Sequence, residues 1–208
     1  MTDLSALTAA VEAGDRKTAV AVTQSAIDDG IAPQQILDAM TRAMEVVGGK
    51  FSRNELYVPE MLISARAMKE STALLEPLLV KAGIKPAHTA VIGTVKGDLH
   101  DIGKNLVGMM WKGANIAVVD LGSNVSAEQF VSAAKEHEAD LIGVSALLTT
   151  TMVGMKAVVT AVREAGLQTK VLVGGAPLTP EFAASIGAHG YAPDAASAVD
   201  VAKRLLGA

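Results

Sequence analysis

Apolar residues recur every three or four positions along the first 82 residues of the chain, which is the period of amphipathic helices. Glycine or proline interrupts this pattern at Gly14, Gly30, Pro33, Gly48-Gly49 and Pro59, where turns or helix starts are expected. Four helices result, approximately over residues 4–11, 15–30, 33–48 and 59–79. An antiparallel four-helix bundle is the simplest way for them to bury their apolar faces.

The pattern changes after Gly83-Ile84-Lys85-Pro86, where short β-branched runs begin to alternate with segments of helix length. This alternation predicts a parallel sheet with helices on both faces, in a flavodoxin- or Rossmann-like α/β fold. We therefore expect a helical domain at residues 1–84 and an α/β domain at residues 88–208. A weak fifth strand is expected around Tyr191, and a last helix at Ala195–Leu206. The stronger strands are expected at Thr89–Val95, Ile116–Leu121, Leu141–Ser145 and Lys170–Val173, with helices that begin near His100, Ser126, Thr151 and Pro180.

Composition narrows the functional classes. Half of the residues are apolar and 19% are charged, which is typical of a folded core. A net charge of −4 and an aromatic content of 3% disfavour nucleic-acid binding. No uncharged apolar run is long enough to predict a membrane span. Because the chain has no Cys and no secretory pattern at its start, we expect a cytoplasmic protein without disulfides or thiolate metal sites.

The loop after the first predicted strand is the first place to look for a ligand, since ligands of parallel sheets bind at the carboxyl ends of the strands. A phosphate-binding P-loop is disfavoured there by two departures. Five residues instead of four separate Gly97 from Gly103, and Asn105 stands where Ser or Thr is required. The loop instead contains one imidazole, His100, between two carboxylates.

His100 is a candidate metal ligand because Asp98 lies two residues before it. A carboxylate that accepts a hydrogen bond from one ring nitrogen makes the other nitrogen a better metal donor. Zinc would need about three protein ligands, and no cluster supplies them. A metal held in a macrocycle needs one axial ligand only. These residues alone leave a structural histidine and an axial ligand equally open, whereas His88, His137 and His189 are expected to be structural.

Three motifs resemble those of one family. Asp98-Leu99-His100-Asp101-Ile102-Gly103 resembles the D-x-H-x-x-G signature of corrinoid proteins that bind cobalamin with its base detached and a histidine attached. Ser145-Ala146-Leu147 follows Gly103 after 41 residues, and Gly174-Gly175 follows Leu147 after 26, which is the spacing of that family.

The helical half is similar to the same family. Met44–Gly48, Phe51 and Tyr57–Leu62 resemble the cap domain of methyl-carrying corrinoid proteins. The likeness therefore extends over almost the whole chain, to small corrinoid subunits of methyltransferase systems. It also extends to the cap and cobalamin-binding domains of cobalamin-dependent methionine synthase.

The resemblance implies a set of site residues. His100 would be the lower axial ligand to cobalt, and Asp98 and Thr151 would complete its hydrogen-bond network as catalytic residues. The detached base would enter a slot beside the sheet, with Gly174-Gly175 after the fourth strand leaving room for it. Cofactor contacts are implied for Gly97, Asp98, Leu99, His100, Asp101, Gly103, Ser145, Leu147, Thr149, Gly174, Gly175 and Ala195. On the upper face, Tyr57 and Met61 would form an apolar lid with Val58, Leu62 and Ala65, near Glu45.

The resemblance also implies a function. The chain would bind methylcobalamin or a related corrinoid and would be non-catalytic alone. It would carry a methyl group from a substrate-specific methyltransferase, acting on methanol, a methylamine or an aryl methyl ether, to a second methyltransferase acting on tetrahydrofolate or a thiol. A reductive activator of the corrinoid would be a third partner.

Three alternatives remain at this point. A subunit of an adenosylcobalamin-dependent mutase uses the same histidine loop but typically lacks the helical cap. A cobalamin-based sensor normally adds a DNA-binding domain, and the chain contains no basic module. A flavodoxin-like signalling domain is the alternative outside the corrinoid proteins.

Overall fold

The computed structural model describes residues 2–207, which form two compact units. One unit contains the residues up to Pro86 together with Gly113–Asn115, and the other contains Ala87–Lys112 and the residues from Ile116 onward. Between residues 2 and 207, no helix is both long and apolar enough to cross a membrane.

The first unit contains the four predicted helices. α1 and α4 each pack against α2 and α3, so that the four helices surround one apolar core. Leu7, Ile36, Met40 and Leu75 are fully buried, one or two from each of three helices. The helices are α1 (Leu4–Glu12), α2 (Arg16–Asp28), α3 (Pro33–Ser52) and α4 (Val58–Lys81).

The third helix is longer than its sequence pattern predicts, because it continues through Gly48-Gly49 to Ser52. Each glycine costs about 1 kcal/mol relative to alanine inside a helix. Val47 and Gly48 are buried, and this packing outweighs the low helix propensity of the two glycines. The chain leaves the helix at Asn54, whose φ of 57° is left-handed.

The second unit is built on a five-stranded parallel sheet of order β2-β1-β3-β4-β5. This is the order of flavodoxin-like folds, in which the strand order reverses between β1 and β3. The predicted fold class is therefore confirmed. The strands are β1 (His88–Thr94), β2 (Ile116–Asp120), β3 (Leu141–Ser145), β4 (Lys170–Gly174) and β5 (Gly190–Ala192).

Helices cover both faces of the sheet. On one face Phe130 of α6 and Met155 of α7 are buried against Val91 and Ile142. On the other face the indole nitrogen of Trp111 donates a hydrogen bond of 3.0 Å to Ala198 O, which joins α5 to α9. The helices that begin in this unit are α5 (Ile102–Gly113), α6 (Ala127–Glu136), α7 (Met152–Glu164), α8 (Pro180–Ser185) and α9 (Ala195–Leu206).

Gly143, in the middle of β3, leaves room for the ring of Trp111. A Cβ atom at position 143 would lie 2.5 Å from Cη2 and 2.9 Å from Cζ3 of that ring. We expect Gly143→Ala to lower the free energy of unfolding by about 1–3 kcal/mol, the usual cost of overpacking a core. Chemical denaturation measures this loss.

The matched control is Gly108→Ala, on the α5 surface that faces the sheet. Its Cβ would lie 3.8 Å from Cγ1 of Val118, an ordinary van der Waals contact. Alanine is also the better helix former, so no loss of stability is expected. Equal losses in the two variants would contradict a specific clash at Gly143.

Candidate functional site

The loop that joins β1 to α5 leaves the sheet at the carboxyl end of β1, beside the point where the strand order reverses. Asp98 N donates a 3.0 Å hydrogen bond to Val95 O, which closes a four-residue turn. Gly97 stands at the third position of this turn with a φ of 87°. A positive φ at that position is the reason why glycine occurs there.

Asp98 is the centre of the site. It is fully buried, and its carboxylate accepts hydrogen bonds from two separate loops. Oδ1 lies 2.8 Å from His100 Nδ1 and accepts a 3.0 Å bond from His100 N. Oδ2 accepts bonds from Leu147 N at 2.8 Å, Leu148 N at 3.3 Å and Thr151 Oγ1 at 2.8 Å.

These contacts keep Asp98 ionised. Burial by itself would raise the pKa of its carboxyl, but the hydrogen bonds from Leu147 N, from His100 and from Thr151 outweigh burial and hold that pKa well below its usual range. Since an ionised carboxylate can only accept hydrogen bonds, His100 Nδ1 carries the proton of this pair. The His100 side chain is 52% exposed, and the unprotonated Nε2 keeps a lone pair that a metal ion can bind.

Two hydrogen bonds also hold the backbone of His100 in place. The hydroxyl of buried Thr94 donates a 2.9 Å hydrogen bond to His100 O, while Asp98 accepts the bond from His100 N. These bonds keep His100 outside the helix, and α5 begins at Ile102 rather than near His100. The start of this helix, expected near His100, is therefore corrected to Ile102.

Exposed apolar side chains surround the network. Leu99 is 73% exposed and Ile102 is 77% exposed, although both are large aliphatic residues. Leu147, Leu148 and Val153 are also exposed. The backbone N–H groups of Leu147 and Leu148 bind Asp98, and Val153 lies two residues after Thr151. One imidazole in an apolar surface fits a metal carried in a large macrocycle. Within residues 2–207, no group of three or more His, Asp and Glu side chains could hold a metal ion by itself.

The ends of β3 and β4 lie side by side next to this network. Ser145 pairs with Gly174, and both are the last residues of their strands. The expectation that Gly174 follows β4 is therefore wrong by one residue, since the pairing with β3 extends to it. Gly175 has a φ of 145°, and a Cβ there would lie 1.8 Å from Ala146 O. Glycine is thus required at position 175 by its φ and by the close approach of the Ala146 carbonyl.

We expect Gly175→Ala to be destabilising by about 2–4 kcal/mol, because it combines an unfavourable φ with a backbone clash. Gly166→Ala separates the two effects, since Gly166 has a φ of 67° and no atom within 4 Å of its Cβ position. It should cost only about 1 kcal/mol. Thermal or urea unfolding of both variants measures the difference, and equal losses would contradict the clash.

The other predicted residues occupy varied places. Asp101 and Gly103 are exposed at the start of α5, and Thr149 is exposed in the turn after β3. Ala195 is buried as the first residue of α9. Within residues 2–207, neither Thr149 nor Ala195 is hydrogen bonded to the Asp98 network.

In the helical unit, two of the predicted lid residues, Tyr57 and Met61, differ in exposure. Tyr57 precedes α4 and is exposed, whereas Met61 is buried. Contact between Met61 and a ligand would require neighbouring side chains to move. The lid therefore stays a prediction.

Sequence reasoning missed Thr94 and the ion pair between Lys104 and Asp120. Lys104 is buried, and its Nζ lies 2.5 and 2.6 Å from the two carboxylate oxygens of Asp120. Burial would raise the pKa of Asp120, but the hydrogen bond from Lys104 and then that from Gly122 N outweigh it and lower that pKa. The pair ties the first turn of α5 to the end of β2. The sequence offered one sign of this ion pair, a lysine on the face of α5 that otherwise carries apolar residues.

Comparison with known proteins identifies the family of this chain. Two models of a B12 binding domain match the chain, one over residues 88–200 and the other over residues 4–76. A corrinoid protein of Desulfitobacterium hafniense (strain Y51) is 40% identical over 213 residues, which cover 100% of this chain and 99% of that protein. The chain belongs to the corrinoid proteins of methyltransferase systems.

Two further corrinoid proteins are similar over most of their length. A dimethylamine corrinoid protein of Methanosarcina acetivorans is 42% identical over 85% of this chain and 84% of its own. A chain in the methanol:cobalamin methyltransferase complex of Methanosarcina barkeri superposes with a TM-score of 0.88 and 30% identity, over 99% of this chain and 80% of that one. The expected corrinoid cofactor is confirmed, and the mutase and sensor alternatives are not favoured.

Proposed function

We propose that this corrinoid protein carries a methyl group between two methyltransferases, with His100 Nε2 as the lower axial ligand of the cofactor's cobalt. The observation that carries the proposal is the 2.8 Å contact between His100 Nδ1 and the buried, ionised carboxylate of Asp98. A carboxylate on one ring nitrogen fixes the tautomer and orients the other toward a metal. The half-exposed ring and its apolar surroundings leave room for a macrocycle above it.

The residues of the network would also manage a proton. A bound corrinoid supplies a cobalt ion that accepts and releases the methyl group. When the imidazole is not coordinated, the 2.8 Å contact with Asp98 would keep the ring in place and hold its proton at Nδ1. The Thr151 hydroxyl lies 2.8 Å from both Asp98 Oδ2 and Leu148 O, so it can donate its hydrogen bond to either of them.

The remaining contacts are proposed from the same arrangement. The detached base of the cofactor would lie along Ser145, Leu147 and Thr149, beside Gly174-Gly175 at the end of the neighbouring strand. Gly97, Leu99, Asp101 and Gly103 would contact the cofactor from the histidine loop, and Ala195 from the start of α9. Tyr57 and Met61 would face its upper side. Residues 1–84 would then act as the cap and residues 88–208 as the cobalamin-binding domain.

The partners are proposed from the chemistry of methyl transfer. The relatives named for dimethylamine and the methanol complex support a methylamine or methanol as the donor. An aryl methyl ether is proposed from the family resemblance alone. A second methyltransferase would pass the methyl group to tetrahydrofolate or a thiol, and a reductive activator would restore an inactive corrinoid.

Reconstitution tests the proposal. The apo-protein is loaded with hydroxocobalamin, reduced to the Co(II) state, and examined by electron paramagnetic resonance. Threefold splitting of the cobalt lines is expected from one coordinated imidazole nitrogen. Retention of the corrinoid without that splitting would refute axial ligation by histidine. Methylcobalamin-loaded protein should then lose its methyl group only when an acceptor methyltransferase and its acceptor are added.

A further inference from the structure

Asn124 has a left-handed backbone in the loop between β2 and α6, with a φ of 59°. Asparagine tolerates this conformation better than most residues, but the conformation still has to be stabilised by its surroundings. Two hydrogen bonds provide that stabilisation. The side-chain Oδ1 accepts a 2.8 Å bond from Gly97 N, and the backbone N donates a 3.0 Å bond to Asp98 O.

These two bonds hold the turn that precedes His100. The internal bond of that turn runs from Asp98 N to Val95 O and uses neither Gly97 N nor Asp98 O. Asn124 therefore supplies the partners that the turn itself lacks. The next residue, Val125, pairs with β1 through a 2.9 Å bond to Thr94 O, which ties the position of Asn124 to the sheet.

The contacts of Asn124 are separate from those that hold the Asp98 carboxylate. Leu147 and Thr151 bind the side chain of Asp98. Asn124 instead binds two backbone atoms, Gly97 N before the Cα of Asp98 and Asp98 O after it. With the carbonyl of Asp98 and the amide of Gly97 fixed, the direction of the Asp98 Cα–Cβ bond is fixed as well. That bond aims Oδ1 at His100 Nδ1.

We infer that Asn124 is a positioning residue for the axial imidazole, acting through the backbone of Gly97 and Asp98. The inference rests on the proposed ligation of cobalt by His100. It places part of the control over that ligand in the loop after β2, which neither contains nor adjoins the D-x-H-x-x-G motif in sequence.

Two substitutions separate the side-chain contact from the backbone conformation. Asn124→Gly keeps the left-handed φ available but removes the acceptor for Gly97 N. Asn124→Asp keeps both the acceptor and a tolerance for that φ. For Asn124→Gly we expect the dissociation constant for hydroxocobalamin to rise roughly five- to tenfold, the range that one net hydrogen bond supports. The fraction of the Co(II) signal with threefold nitrogen splitting should also fall, and Asn124→Asp should restore both.

A second readout needs no cofactor. Amide hydrogen exchange of Gly97 in the apo-protein should be several-fold faster in Asn124→Gly than in the wild type, since the amide loses its acceptor. Asn115→Gly is the matched control, because Asn115 also has a left-handed φ of 60° but precedes β2 at the opposite end of that strand. It should leave the exchange of Gly97 and the nitrogen splitting unchanged.

The possible outcomes distinguish the two claims. A wild-type protein without nitrogen splitting overturns the proposed ligation by His100. A wild-type protein with splitting that Asn124→Gly retains in full, at unchanged affinity, overturns the role of Asn124. If Asn124→Asp is as defective as Asn124→Gly, the acceptor contact is not what positions the loop, and the inference is also overturned.

Discussion

Replacement of His100 by alanine should abolish the nitrogen splitting of the Co(II) signal and weaken corrinoid binding by at least about tenfold. Even a change in a residue that only supports a metal ligand usually lowers the affinity by about tenfold or more, and loss of the ligand itself should cost no less. The reason is geometric. Asp98, Thr94 and the turn at Gly97 all act on the one ring that faces outward. Within residues 2–207, no other histidine is hydrogen bonded to Asp98. Spectral titration of the apo-protein with hydroxocobalamin measures the affinity.

Two controls accompany this variant. His137→Ala removes a histidine at the end of α6 and should leave both the spectrum and the affinity unchanged. Free imidazole added to the His100→Ala protein should restore part of the splitting, because the space vacated by the ring is open to solvent on one side. Unchanged splitting in His100→Ala without added imidazole would show that the nitrogen comes from elsewhere, from another residue or from the cofactor's own base.

Replacement of Asp98 by asparagine should lower the free energy of unfolding by about 2–4 kcal/mol near neutral pH, in addition to weakening corrinoid binding. The carboxylate accepts two backbone bonds from the β3–α7 loop and two bonds from His100. An amide nitrogen at either oxygen position would face at least one of these donors and leave it without a partner. Leaving buried donors unsatisfied carries a cost of this size.

The same variant should change the pH dependence of stability. The pKa of Asp98 is lower in the folded protein than the value of about 3.9 in an unfolded chain. A depressed carboxyl pKa contributes stability that is fully present above the unfolded pKa and is lost as the pH falls below it. The gap in stability between wild type and Asp98→Asn should therefore be constant above about pH 5 and should narrow below about pH 4.

Urea denaturation from pH 7 down to pH 3 measures that gap. Asp101→Asn is the matched control, because Asp101 lies in the same loop but is exposed. Its stability should stay within about 0.5 kcal/mol of the wild type at each pH, as for most surface substitutions. A gap for Asp98→Asn that does not change between pH 5 and pH 3 would contradict the ionised, hydrogen-bonded state of Asp98.

Hydrophobic periodicity predicted most of the elements correctly, and the errors have physical causes. The bounds of β3 and α9 agree with the prediction, because each is a short segment whose apolar residues match one period throughout. α3 exceeds its prediction, because burial of Val47 and Gly48 outweighs the preference of glycine for turns. α5 begins later than expected, because bonds from Thr94 and to Asp98 hold His100 in the loop.

The candidate site divides in the same way. The spacing within Asp98-Leu99-His100 predicts a carboxylate beside an imidazole, since residues two apart in a loop can reach one another, and the structure contains that bond. The partners of Asp98 at Leu147 and Thr151 are 49 and 53 positions away. Resemblance to a family suggested Thr151, but only the adjacency of β1 and β3 brings the two loops together.

The sequence by itself determined the order of helices and strands, the place of the histidine loop and the corrinoid family, because these depend on local periodicity and on motifs within single segments. Only the tertiary structure decided the burial of Asp98, the ion pair of Lys104 with Asp120 and the contact of Asn124 with Gly97. Each of these depends on which strands are neighbours in the sheet. The energy of such contacts comes from desolvation and hydrogen bonding between segments far apart in the chain, which no local pattern encodes.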